Sequence, residues 1–199
     1  MSIQQIINHL KKSKRILVAS HIHPDGDAIG SLISVGLALQ ELKKKVTVYN
    51  ESPIPAVYQF LPSLHLINRS VEDFSEFDTA VILDCSDLQR IGEVATQVSK
   101  IPVIINIDHH TTNTRFGDLQ SIDPQASSTC EIVYRIIEAL DGVIIDRGMA
   151  YSIYTGIMAD TGSFRFANTT PEALTFLIKW SCSVPIPTKW RIMCMKRFP

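Results

Sequence analysis

RILVAS (15–20), TAVILD (79–84) and PVIINID (102–108) are apolar along almost their whole length, rich in β-branched residues, and short. A strand that does not alternate with polar residues must be covered on both faces, and helices are what cover the faces of a parallel sheet. The segments between the runs fit this. Residues 2–12 read as a short amphipathic helix. From Ala28 onward, Ile29, Leu32, Ile33, Leu37, Leu39 and Leu42 fall near helical spacing, before a KKK run that suits a helix C-terminus. KVTVYN (45–50) then returns to a strand, and residues 88–98 are expected to form the helix joining the second and third runs. This order predicts an α/β fold: a parallel β-sheet flanked by helices, with right-handed connections. After residue 127 a mainly helical segment is expected, through SSTCEIVYRIIEAL, DRGMAYSIYTGIMAD and PEALTFLIKW. Ser127 or Ser128 and Thr170 serve as N-caps there, with Pro171 at the first helical position.

At 199 residues and 45% apolar composition the chain has enough material for one sizeable core. Its 19 basic residues against 20 acidic ones create no general basic field for nucleic acid or an anionic membrane, so an anionic ligand has to be held locally. The N-terminus MSIQQIINHLKKSKR lacks the apolar centre of a signal peptide, and no stretch reaches the roughly 18–20 apolar residues of a membrane span. A cytoplasmic protein without membrane partners is therefore expected. Cys85, Cys130, Cys182 and Cys194 form no C-x-x-C pair and are expected as buried free thiols.

The residues that follow each run are less ordinary. HIHPDGD (21–27) sets two histidines and two aspartates behind the first run, Asp84 ends the second, Asp108-His109-His110 ends the third, and Asp160 closes a helix in IMADTGSFRF. Ligands of open parallel sheets bind beyond the carboxyl ends of the strands, so three polar strand ends point to one shared site. Singly, PDGD and Asp84 are explained as well by turn and cap chemistry. Together they raise an electrostatic problem. Asp25, Asp27, Asp84 and Asp160 in one cleft repel by roughly 4 kcal/mol per pair at about 4 Å and an effective dielectric near 20. Two divalent cations balance four carboxylates, while His21 and His109 add neutral nitrogen ligands. A mixed carboxylate and imidazole set favours two Mn²⁺, with Mg²⁺ or Co²⁺ as substitutes.

HIHPDGDAIGS, the VILD before Cys85, the DHH of 108–110 and the MADTG of 158–162 resemble the four motifs of the DHH phosphoesterases. The run from DHHTTNTRFGDL through DPQASSTCEIVYRII to DTGSFRFANTTPEAL resembles the bacterial nanoRNase/pAp phosphatase branch, and the likeness covers about residues 2–179. The resemblance implies that His21, Asp25 and Asp84 ligate one Mn²⁺ and that Asp27, Asp84, His109 and Asp160 ligate the other, with Asp84 as the bridge. It implies that His110 faces the scissile phosphate, so that His110 and Asp84 are the catalytic pair, and that Asp108 orients a neighbouring imidazole. Two such cations lower the pKa of a bridging water and clamp phosphoryl oxygens during in-line attack, without a covalent intermediate. The helix opened by Ala126-Ser127-Ser128 is a candidate phosphate cradle, although capping explains both serines equally well. Arg165 and Arg115 are candidate phosphate donors.

The implied substrates are very short RNA oligonucleotides and pAp, not long nucleic acid. Family members of this kind carry a C-terminal DHHA1 domain with a glycine-rich, basic motif, and nothing in this chain resembles it. The expected organisation is a DHH catalytic domain over residues 1–179 and an aberrant tail over 180–199. A frameshift near Lys179 is the expected origin of that tail, and weak activity its consequence. A metal-binding remnant without turnover, a manganese inorganic pyrophosphatase and a dinucleotide phosphodiesterase are the alternatives. Apolar surface on the helices of residues 128–159 leaves a homodimer open.

Overall fold

The computed structural model describes residues 3–180. The expectations about the tail, including the frameshift and the states of Cys182 and Cys194, lie outside the described residues. In chain order the elements are α1 (Ile3–Lys12), β1 (Arg15–Ser20), α2 (Gly26–Glu41), β2 (Lys45–Tyr49), β3 (Ile67–Asn68) and β4 (Thr79–Leu83). Then come α3 (Ala95–Val98), β5 (Val103–Asp108), β6 (Leu119–Ile122), α4 (Thr129–Glu138), α5 (Arg147–Asp160) and α6 (Pro171–Trp180). The strands form one sheet in the order β3-β2-β1-β4-β5-β6, and every neighbouring pair is parallel. From β1 the sheet grows one way through β2 and β3 and the other way through β4, β5 and β6. Such a reversal opens a crevice beyond the carboxyl ends of the two strands that flank it, here β1 and β4.

The apolar runs are apolar throughout because each strand feeds two cores. Ile16, Val18, Val81, Leu83, Ile105 and Ile107 join the core that α1, α2, α4 and α5 complete. Leu17, Ala19, Ala80, Ile82 and Ile104 join a smaller core on the other face, beneath residues 88–101. Burying one such side chain stabilises the fold by roughly 1.5–3 kcal/mol, so both faces contribute. Cys85 and Cys130 are buried free thiols, and no helix among the described residues is long and apolar enough to cross a membrane.

Two features differ from the sequence expectation. The helix expected over residues 88–98 is broken into a 3-10 turn at Leu88–Ile91 and the short α3. The break falls at Gly92, whose φ of +97° suits glycine, and a Cβ there would lie 2.1 Å from Oε2 of Glu51. The same Glu51 oxygen accepts from the backbone N–H of Glu93 at 2.7 Å, so a long-range contact overrides the local helical period. The second difference is a pair of edge strands, β3 and β6. They are short and carry polar residues, so nothing in INRS or LQSI marks them as strands.

The helix expected from Ala28 starts at Gly26, with Asp25 as its N-cap. Ser128 caps α4 by accepting from the N–H of Glu131 at 3.2 Å, and Thr170 caps α6 by accepting from Ala173 at 3.0 Å. Close approach of α2 to α5 depends on glycine. A Cβ on Gly30 would stand 2.3 Å from the backbone oxygen of Ser152, an atom that cannot swing aside. Gly30→Ala is expected to cost about 1–3 kcal/mol by forcing the helices apart. For a chain of this size that lowers the thermal midpoint by roughly 2–12 °C, read by differential scanning calorimetry; a shift below about 1 °C would contradict the packing described.

Candidate metal centre

The crevice beyond β1 and β4 is where the acidic and imidazole groups meet. Leaving β1, the chain is held by Asn50, whose amide donates to Ser20 Oγ and to the carbonyl of His21, both at 2.9 Å. His21 Nδ1 lies 2.8 Å from the carbonyl of Ile22. A carbonyl oxygen only accepts, so Nδ1 carries the hydrogen and Nε2 is left as the free ring nitrogen. Nε2 lies 3.3 Å from Oδ2 of Asp84.

Asp25 caps α2 with one oxygen, Oδ1, which accepts from the N–H groups of Asp27 and Ala28 at 2.9 and 3.0 Å. Cap and candidate ligand are therefore compatible roles for this side chain. Asp27, in the first turn of α2, is fully buried. It receives the N–H of Thr129 on Oδ2 at 2.6 Å and that of Cys130 on Oδ1 at 2.8 Å, both from the start of α4. Helix N-termini bind anions through such free N–H groups, and here the anion is the protein's own carboxylate.

Asp84 sits just past β4 with φ +56°. For a residue other than glycine this left-handed conformation costs about 1–2 kcal/mol, although aspartate tolerates it better than most. Its N–H is tied to the carbonyl of Ile107 at 3.0 Å. Oδ1 accepts from the Thr129 hydroxyl at 3.1 Å and lies 3.8 Å from His109 Nε2 and 3.7 Å from His110 Nδ1. His109 Nε2 also approaches Asp160 Oδ2 at 3.0 Å and Asp27 Oδ2 at 3.9 Å. His110 Nδ1 bonds Oδ1 of the buried Asp108 at 2.7 Å. Asn113 donates to the other oxygen of Asp108 at 2.6 Å, fixing its plane.

Three groups of candidate ligand atoms result, each lying within 4.8 Å of one another: His21, Asp25 and Asp84; Asp27, His109 and Asp160; and Asp84, His109 and His110. The first two are the sets expected from the sequence, less the second place assigned there to Asp84. That shared place falls instead in the third group, which adds His110. Imidazole nitrogens and carboxylate oxygens without a thiolate fit borderline divalent cations, and Asp84 is common to two groups.

The electrostatics reflect crowding of like charge. Burial pushes the Asp27 carboxyl well above the usual range, and the charges of Asp84 and Asp160 push it the same way. Burial raises Asp160 too. For Asp84 burial acts upward, but the His21 hydrogen bond and the charges of His21, His109 and His110 hold the carboxyl below its usual range. Burial disfavours charge on His109, yet the Asp160 hydrogen bond and the charges of Asp27, Asp160 and Asp84 prevail and push it up to about 10. His21 is raised by Asp84 against the effect of its burial, and His110 by its hydrogen bond to Asp108.

The side chains expected to meet substrate have the following partners. Ser127 is buried, with its N–H and hydroxyl both on Oε2 of Glu131 at 3.0 and 2.7 Å, and the buried Ser128 hydroxyl is occupied as the cap. Arg165 is exposed and donates through Nε to the carbonyl of Gly162 at 2.9 Å. Arg115 is exposed on the loop after β5. Thr129, Asn113 and Glu131 escaped the sequence reading. Thr129 follows two serines and reads locally as cap chemistry, while its partners Asp27 and Asp84 are distant in the chain.

Residues 15–157 match the family model described as the DHH family, N-terminal domain. Among curated proteins, the chain is 41% identical over 159 residues to the bifunctional oligoribonuclease and PAP phosphatase NrnA of Thermus thermophilus, covering 80% of this chain and 47% of that protein. The Bacillus subtilis protein of the same description is 30% identical over 177 residues, covering 86% and 54%. The chain thus spans about half the length of the curated relatives it matches. Among solved structures, an exopolyphosphatase-related protein from Bacteroides fragilis superposes with a TM-score of 0.84 at 28% identity, covering 99% of this chain and 60% of that one.

The raised imidazoles give a signed prediction for cation binding. A histidine near 10 carries a proton at neutral pH, and a cation taking that nitrogen must release it. Affinity for Mn²⁺ is therefore expected to rise with pH, by up to about tenfold per unit for each proton displaced, and to level off as pH passes about 10. Titration calorimetry in buffers of different ionisation enthalpy counts the protons. Affinity that is flat from about pH 6 to 9 would contradict this electrostatic picture.

Proposed function

We propose, on the premise that this chain belongs to the DHH family, that it is a metal-dependent phosphoesterase. Its proposed substrates are very short oligoribonucleotides, cleaved to mononucleotides, and pAp, hydrolysed to AMP. The observation that carries this reading is Asp84: a buried carboxylate in a left-handed conformation, with one oxygen facing His21 and the other facing His109 and His110. Two oxygens facing two ligand groups are what a bridging carboxylate needs, and backbone strain of this kind clusters at functional sites.

His21, Asp25 and Asp84 would hold one cation, and Asp27, Asp84, His109 and Asp160 the other, with Mn²⁺ the proposed metal. When bound, such a pair supplies Lewis acidity to phosphoryl oxygens and a water of lowered pKa. The remaining work falls to the chain's own residues. The first turn of α4 keeps Asp27 from turning away from the cleft. Asp108 takes the Nδ1 hydrogen of His110, which leaves Nε2 to meet a phosphoryl oxygen or the leaving group, and Asn113 keeps Asp108 in plane. The oligoribonuclease and phosphatase descriptions of the relatives support the choice of substrate.

A second reading is a cation-binding domain without turnover: the stretch aligned with this chain makes up 47% and 54% of the relatives so described, and their activity belongs to the whole proteins. One assay separates the two. Purified protein with Mn²⁺ is offered a dinucleotide, pAp, pyrophosphate and a chromogenic phosphodiester. Mononucleotide and AMP are expected, lost on chelation, reduced at least about 100-fold by Asp84→Asn and about 10²–10⁴-fold by His110→Gln. Cation binding without any product would select the second reading, and hydrolysis of pyrophosphate alone would overturn the oligonucleotide reading.

A further inference from the structure

We infer that Thr129 is a positioning residue: its hydroxyl sets the rotation of the Asp84 carboxylate and thereby the spacing of the two cation positions. The inference rests on the metal-dependent reading above. Terminal torsions of aspartate are broad, so backbone and rotamer preference do not fix where the two oxygens point. Oδ2 of Asp84 faces His21 Nε2 at 3.3 Å, whereas Oδ1 faces the His109 and His110 nitrogens at 3.8 and 3.7 Å. A rotation about that torsion would take both oxygens out of these assignments together.

The Thr129 hydroxyl, 3.1 Å from Oδ1, is a hydrogen-bond donor to this carboxylate that is not itself an imidazole. The His21 and His109 contacts are those that cations would replace, since both imidazoles are proposed ligands, and His110 Nδ1 is already bonded to Asp108. The hydroxyl contact would survive. Capping does not account for the hydroxyl, because Ser128 already caps α4 through the N–H of Glu131. The same residue donates its backbone N–H to Asp27 Oδ2 at 2.6 Å, so Thr129 touches one carboxylate from each of the two cation groups.

The turn that presents Thr129 is itself held rigidly. The buried Glu131 accepts from Ser127 N–H and Oγ, from Thr170 Oγ1 at 2.7 Å and from Arg135 at 2.9 Å, which joins the start of α4 to the loop before α6. Gly156 leaves space on the inner side. A Cβ there would lie 2.3 Å from Cys130 Sγ and 2.7 Å from Asp27 Oδ1.

Thr129→Val removes the hydroxyl at nearly constant shape and keeps the backbone N–H on Asp27, while Thr129→Ser keeps the hydroxyl. Mn²⁺ titration calorimetry and low-temperature electron paramagnetic resonance are recorded on all three chains. The parent is expected to bind two ions with an exchange-coupled spectrum. The valine variant is expected to bind the second ion about 10–100-fold more weakly and to lose the coupling, while the serine variant retains both. If the valine chain fails to melt cooperatively, Thr129→Ala carries the same readouts.

A valine or alanine variant with parental affinity and coupling would overturn the inference. So would a serine variant that loses the pair, because the γ-methyl rather than the hydroxyl would then be responsible. A parent chain that never binds two ions would instead bring down the two-cation reading under Proposed function, and the inference with it.

Discussion

Carboxylates forced together at one end of a parallel sheet set the terms for the rest of this molecule. Asp27, Asp84 and Asp160 gather around His109, with Asp25 at the rim, and two charged carboxylates about 4 Å apart repel by roughly 4 kcal/mol in a medium of effective dielectric near 20. Local donors answer only part of this. Two backbone N–H groups at the N-terminus of α4 give Asp27 hydrogen bonds of about 1.5–3 kcal/mol each, while burial of a carboxylate costs several kcal/mol. Burial and the neighbouring carboxylates prevail, so the Asp27 carboxyl is held well above its usual range. Divalent cations at these groups of candidate ligands would supply the charge that the side chains lack.

The fold serves this arrangement by topology and by close packing. Reversal of strand order at β1 and β4 sets two strand exits side by side, so His21 and Asp84 meet although they are far apart in sequence. Asp108, at the end of β5, adds the loop of His109 and His110 from the neighbouring strand. α4 then closes over the crevice and turns its first N–H groups onto Asp27. Glycines at positions 30 and 156 let α2, α4 and α5 approach closely enough for that turn to reach its carboxylates.

Much of this was legible in the sequence because the relevant signals are local or compositional. Apolar runs without alternation report two-sided burial, and the strands they imply are β1, β4 and β5. The residues after each run were legible as a group, because charge balance and the likeness to four family motifs agree on the same side chains. What escaped depends on tertiary contact. Gly92 reads as an ordinary residue inside a helical period until Glu51 is seen to occupy the space beside it. β6 offers no apolar pattern because it lies at an edge of the sheet. Ser127 and Ser128 read in sequence both as caps and as a phosphate cradle; in the structure the Ser127 hydroxyl donates to Glu131, the Ser128 oxygen accepts as the cap, and Asp27 takes the next two N–H groups.

Diffraction from manganese-soaked crystals, recorded at the manganese absorption edge, addresses the central claim most directly. Two anomalous peaks about 3.5–4 Å apart, one on either side of the Asp84 carboxylate, are what this account predicts. A single peak, or ions bound away from Asp84, would contradict it.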